Sequence, residues 1–112
     1  MLLDGKVIVI TGGAGLIGQE LVKAVISQGG IAVIADIDEE GMQYAIKELA
    51  QTFPSDKIDV FKLNVTSKDS LQECIDYVDS KYNKIDALIN NAYPRNKNYG
   101  RHFFDVEYAD FV

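Results

Sequence analysis

KVIVITGGAGLIG, Lys6 to Gly18, decides how the rest of the chain is read. Val7 to Ile10 is a short apolar run, and Thr11 ends it in a glycine-rich break. Leu16, Ile17, Leu21, Val22 and Val25 then recur at helical spacing. The stretch reads as strand, tight turn and helix, with Gly13-x-Gly15-x-x-Gly18 at the junction. One glycine permits backbone angles closed to other residues. Another leaves room for a pyrophosphate to touch the main chain, and Gly18 lets helix and strand pack closely. A helix N-terminus offers open N–H groups and a partial positive charge, so an anion belongs there.

Outward from this stretch, strand and helix patterns alternate. The first helix is expected over Leu16 to Gln28, stopped by Gly29-Gly30. Ile31 to Ala35 forms a second strand ending at Asp36. Asp38 is placed to cap a helix running to about Thr52, with Met42, Ala45, Ile46 and Leu49 on one face. Pro54 bars its continuation. Ile58 to Leu63 is a third strand, closed by Asn64-Val65. Thr66 or Ser67 caps a third helix whose buried stripe is Leu71, Cys74, Ile75, Val78 and Tyr82. Ile85 to Ile89 is a fourth strand, running into Asn90-Asn91-Ala92. Tyr93 to Arg101 reads as a loop, and Phe103 to Val112 as the opening of a fourth helix. Such alternation implies right-handed crossovers and an α/β fold, a doubly wound parallel sheet of about four strands. A flavodoxin-like domain shares the alternation but places no dinucleotide glycine turn after its first strand.

The 112 residues suit a single domain, 1–112. Net charge is -6, which argues against a nucleic-acid or anionic-membrane partner. A dinucleotide remains compatible, because backbone amides hold phosphates without lysine. Cys74 is the single cysteine, so no internal disulfide forms, and a reducing, cytoplasmic setting fits. No charged-then-apolar leader is seen at Met1 to Gly5. No apolar run approaches the ~20 residues of a membrane helix.

Few positions carry chemistry. Asp36 follows the glycines by about 20 residues, where a carboxylate accepts hydrogen bonds from an adenosine ribose and repels a 2′-phosphate. Neither the glycine turn nor Ile37 supplies an arginine for that phosphate, so NAD is favoured over NADP. The bland alternative is a turn shared by Asp36 and Asp38. Asn64 meets an adenine edge with Val65 beside the ring, or is an asparagine tolerated in a turn. Asn90 and Asn91 bridge neighbouring strands or approach a cofactor. Cys74 reads as a small core residue. His102, the sole histidine, reads as a loop residue, and no metal-ligand cluster is seen. Tyr93 and Lys97 have Tyr-x-x-x-Lys spacing, but Pro94 between them favours a loop, so the match reads as accidental; Tyr93 can still touch ligand.

Together, Thr11 to Gly18, Asp36, Asn64-Val65 and Asn90-Asn91-Ala92 resemble the short-chain dehydrogenase/reductase family, over the whole chain. The resemblance implies a Rossmann-type sheet of order 3-2-1-4, a nicotinamide cofactor and hydride transfer at a carbinol or carbonyl carbon. It assigns the pyrophosphate to Gly12, Gly13, Gly15, Leu16, Ile17 and Gly18, and the ribose to Asp36 with Ile37. Asn64 and Val65 take the adenine, and Asn91, Ala92 and Tyr93 lie nearer the nicotinamide. Leu16 stands where classical members carry glycine, as in the extended branch that often works on nucleotide sugars. Tyr93 replaces another usual glycine. The Asn-Asn-Ala-Tyr-Pro-Arg run is similar to short-chain dehydrogenases of bacterial glycan or flagellin modification. Family catalysis uses a serine, a tyrosine and a lysine, which are expected beyond Val112. Tyr108 cannot begin the tyrosine–lysine pair, because Val112 stands four places on. The chain is therefore expected to be the cofactor half of an NAD-dependent enzyme acting on a small molecule, a homo-oligomer at full length. The alternative is a dinucleotide-binding module without turnover.

Overall fold

Val7, Ile8, Val9 and Ile10 are β-branched, which favours a pleated strand packed on both faces. In the computed structural model, which describes residues 1–92, they form strand β1, Val7–Thr11, buried throughout. Helix α1 spans Leu16–Ser27, β2 Ile31–Asp36, α2 Glu39–Leu49, β3 Ile58–Lys62, α3 Lys68–Tyr82 and β4 Ala87–Asn90. The strands form one parallel sheet of order β3-β2-β1-β4. The expected order is therefore the observed one.

Alternation along the strands sorts side chains between two cores. Ile8, Ile10, Ala32 and Ile34 pack with Val22, Val25 and Ile26 of α1 and Met42, Ala45 and Leu49 of α2. Val7, Val9, Val33 and Ala35 face the other way, onto Cys74 and Val78 of α3. Each fully buried Val or Ile contributes about 1.5–3 kcal/mol. Cys74 is a buried thiol, as expected of a small core residue, and burial pushes its pKa up.

The helix ends follow their caps. Gly29 (φ +88°) follows α1, with Gly29 N–H donating to the Ile26 carbonyl and Gly30 N–H to that of Val25. This double bond pattern satisfies the last carbonyls of α1. Asp38 accepts from Gly41 N–H at 2.9 Å, and Ser67 rather than Thr66 caps α3, accepting from Ser70 N–H at 3.2 Å.

Three local expectations are corrected. Helix α2 ends at Leu49, not Thr52, because the chain tightens to bring Phe53 back onto the core ahead of Pro54. Strand β4 begins at Ala87, not Ile85: the Asp86 carboxylate takes the Val7 N–H at 2.7 Å in place of a strand carbonyl. Ile75 is 48 % exposed; one step round the helix from Cys74, it turns off the sheet. The loop and fourth helix read over Tyr93 to Val112 lie outside the described residues.

Candidate functional site

Every strand of a parallel sheet ends on the same side, so the loops after β1, β2, β3 and β4 converge. They border an open cleft of about 1180 Å³. The glycine bend supplies Gly12, Gly15, Leu16, Ile17 and Gly18 to its wall. Asp36 and Ile37 come from the end of β2, Asn64 and Val65 from beyond β3, and Asn91 and Ala92 from beyond β4. Residues far apart in sequence thus share one surface. Tyr93 lies outside the described residues, as do Lys97 and His102.

The bend explains its glycines one by one. Gly12 has φ +68°, and a Cβ there would stand 3.1 Å from Ala92 Cα. Gly13 is buried under the bend and does not face the cleft; its missing Cβ makes room for Ile34 Cγ2. Gly18 brings the first turn of α1 against the bend, where a Cβ would fall 2.6 Å from Gly13 Cα. Gly15 differs, because a Cβ there would meet nothing closer than 3.6 Å. It is the N-cap of α1 and offers no side-chain cap. The first N–H groups of α1 therefore keep their open ends toward the cleft. No acidic residue occupies that first turn to compete for an incoming anion. Leu16, Ile17 and Ile37, 89 %, 70 % and 57 % exposed, surround these donors with apolar surface.

Asp36 is held by the main chain. Its Oδ2 accepts from Ala14 N–H at 3.1 Å and its Oδ1 from Asp38 N–H at 3.0 Å. The turn with Asp38 is therefore real, but it takes only one oxygen. The other is tied to the glycine bend, so the carboxylate is fixed at the cleft wall. Each oxygen retains a lone pair for a further donor.

Thr11 was not among the sequence candidates, and it joins the bend to β4. Thr11 is 2 % exposed, and its hydroxyl accepts from Asn91 N–H at 3.0 Å and Ala92 N–H at 3.1 Å, and donates toward Asn90 Oδ1 at 3.1 Å. Asn91 Nδ2 donates to the Gly12 carbonyl at 3.2 Å. Asn90 and Asn91 therefore bridge strands. The signal for Thr11 was one hydroxyl ending an otherwise apolar strand, since a buried hydroxyl must find partners.

A second polar cluster lies outside the cleft. Tyr77 and Lys81 of α3 have Tyr-x-x-x-Lys spacing, with Lys81 Nζ 3.4 Å from Tyr77 Oη. Both are engaged by Asp59 of β3, at 3.0 Å and 2.9 Å, and Tyr82 Oη donates to Asp59 at 2.7 Å. Burial and the bond to Asp59 push Tyr82 up to about 12, the wrong direction for an acid/base phenol. Burial raises the Asp59 carboxyl, but bonds from Lys81, Tyr82, Val60 N–H and Tyr77 outweigh it and hold it below the usual range. Among the described residues no group of three or more His, Cys, Asp or Glu could hold a metal, and no helix is long and apolar enough to cross a membrane.

The short chain dehydrogenase family model matches residues 6–105. The chain belongs to that family. The chain is 37 % identical over 100 residues to the post-translational flagellin modification protein A of Campylobacter coli. That match covers 89 % of this chain and 39 % of the relative, so the chain spans about two-fifths of its relative's length. Among solved structures, an NAD+-bound xylitol dehydrogenase superposes with TM-score 0.72 at 27 % identity, covering 84 % of this chain and 35 % of that one. The C-domain of a bacterial malonyl-CoA reductase with NADP gives TM-score 0.73 at 28 % identity, covering 83 % and 15 %. The family is one of oxidoreductases.

Proposed function

We propose that this chain holds NAD for an oxidoreductase that moves hydride at a carbinol or carbonyl carbon of a small molecule. The carrying observation is the Asp36 carboxylate, tied to Ala14 N–H at 3.1 Å beside open helix-head amides. The residues fit the cofactor. The amides of Leu16 and Ile17 suit a pyrophosphate, and the bare Gly15 leaves space for it. Asp36 presents acceptor lone pairs to ribose hydroxyls, while a 2′-phosphate would sit against a fixed anion. Asn64 and Val65 border the base end, and Ala92 lies toward the nicotinamide end. When bound, the cofactor supplies the two-electron hydride carrier.

A sugar or nucleotide sugar is the substrate class we favour. It is supported by the Leu16 form of the glycine turn and by the likeness to a flagellin modification protein. The Tyr77–Lys81 pair is taken by Asp59, so it is not offered as the proton-transferring pair. The same reading makes the full-length protein a cytoplasmic homo-oligomer.

Thermal unfolding with each cofactor tests it. At a hundredfold excess over Kd, NAD should stabilise by roughly 2.7 kcal/mol, with less protection from NADP at equal concentration. Equal protection by both would remove the role given to Asp36.

A further inference from the structure

We propose that Gln19 is a positioning residue for dinucleotide binding: from outside the cleft it pins the Ala14–Gly15 peptide and so holds the glycine bend ready for the pyrophosphate. This rests on the dinucleotide reading above. Gln19 lies in the first turn of α1. It borders the groove between α1 and α2, beside Tyr44 and Leu49, rather than the cleft. Its Nε2 donates to the Ala14 carbonyl at 2.8 Å. A carbonyl oxygen only accepts, so the NH2 group must be the one that faces it.

The bond matters because of where Ala14 stands. The first main-chain bond of α1 runs from Gln19 N–H to the Gly15 carbonyl at 2.9 Å, one residue past Ala14. The Ala14 carbonyl therefore has no main-chain donor among the described residues, and the Gln19 side chain supplies one. Ala14 N–H is held by Asp36 at 3.1 Å, and Gly15 N–H by the Gly12 carbonyl at 3.2 Å. With Gln19 added, the peptides on both sides of Ala14 are fixed. Gly15 makes that hold necessary. A half-turn of the Ala14–Gly15 peptide carries the φ of Gly15 from −76° to positive values, which glycine adopts freely. A released carbonyl can then turn its negative end toward the rim that Gly15 lines, against an incoming phosphate. A bend fixed beforehand spares binding the cost of ordering it.

Titration of NAD into variants at position 19 tests this. The work is done in about 1 M salt, where the screening length of about 3 Å mutes any added charge. Gln19→Met keeps length and helix propensity but has no donor, and should weaken NAD by about fivefold. Gln19→Lys restores a donor and should bind within about twofold of the wild type. A loss under about twofold in Gln19→Met overturns the proposal. So does a Gln19→Lys chain as weak as Gln19→Met, which would make the side chain mere packing. Either result leaves the NAD reading intact. A wild-type chain that does not bind NAD overturns that reading and this one with it. Should Gln19→Met not fold, the wild-type chain decides. Scalar coupling between the Gln19 side-chain nitrogen and the Ala14 carbonyl carbon should be present before and after NAD is added. Its absence from either state overturns the proposal.

Discussion

At the scale of single residues, the site is a set of backbone groups made available by what is missing. Gly12, Gly15 and Gly18 serve three different ends: a left-handed turn, an open amide end and a close helix contact. Gly18→Val should abolish NAD binding, because its Cβ would force α1 off the bend; titration calorimetry checks this. Asp36→Ala should change the NAD:NADP affinity ratio by about tenfold toward NADP, as expected for removing a carboxylate from beside a 2′-phosphate. Thr11→Val should cost about 1–3 kcal/mol in denaturant unfolding, because it strands the Asn91 and Ala92 N–H groups. Much of this was legible from residue type alone. Glycine spacing and an acid at a strand end have few other uses together. The role of Thr11 was not, since a threonine in a strand gives no sign of which loop will close over it. Gly13 satisfied the motif by spacing, yet its contact is with Ile34 beneath.

At the scale of elements, the caps and the strand order followed from period and punctuation. Ser67, Asp38 and Gly29 act where a short polar side chain or a left-handed backbone is required. Boundaries were less legible, because tertiary contacts move them. Phe53 is drawn to the core, and the Asp86 carboxylate takes the Val7 N–H while its own N–H still donates to the Val7 carbonyl. Ile75 looked buried on helical period, but burial depends on where the sheet stops. The polar latch of Asp59, Tyr77, Lys81 and Tyr82 was invisible, since it needs β3 and α3 side by side. Its pH dependence has a definite sign. The folded Asp59 carboxyl lies below its unfolded value of ~3.9, so the latch stabilises fully above that pH. The contribution is lost as pH falls through the folded value. Asp59→Asn should therefore unfold more easily at neutral pH, by about 2 kcal/mol, and show a flatter loss of stability with acid. Urea midpoints measured between neutral pH and pH 3 check both. If the variant and wild type lose stability in parallel, the latch carries no titrating charge.

At the scale of the whole molecule, the parallel sheet does one thing for function: it delivers four loop ends to one rim. Two cores, one beneath α1 and α2 and one beneath α3, fix the sheet that carries that rim. The fourth strand pairs on one side among the described residues, and Leu88 is 59 % exposed on it. Edge exposure of this kind favours pairing with further strand. Diluting the chain through its association range should therefore lower its melting temperature if copies protect that edge, and leave it unchanged if they do not. The claim on which the account turns is that amides at the head of α1 and the carboxylate of Asp36 grip one dinucleotide between them. Titrating NAD into nitrogen-15-labelled chain and following each amide resonance tests it most directly. The account predicts the largest shifts at Gly15 to Gly18, with smaller ones at Ile37 and Val65. Shifts confined to another surface, or a saturated complex that leaves Leu16 and Ile17 unmoved, would contradict it.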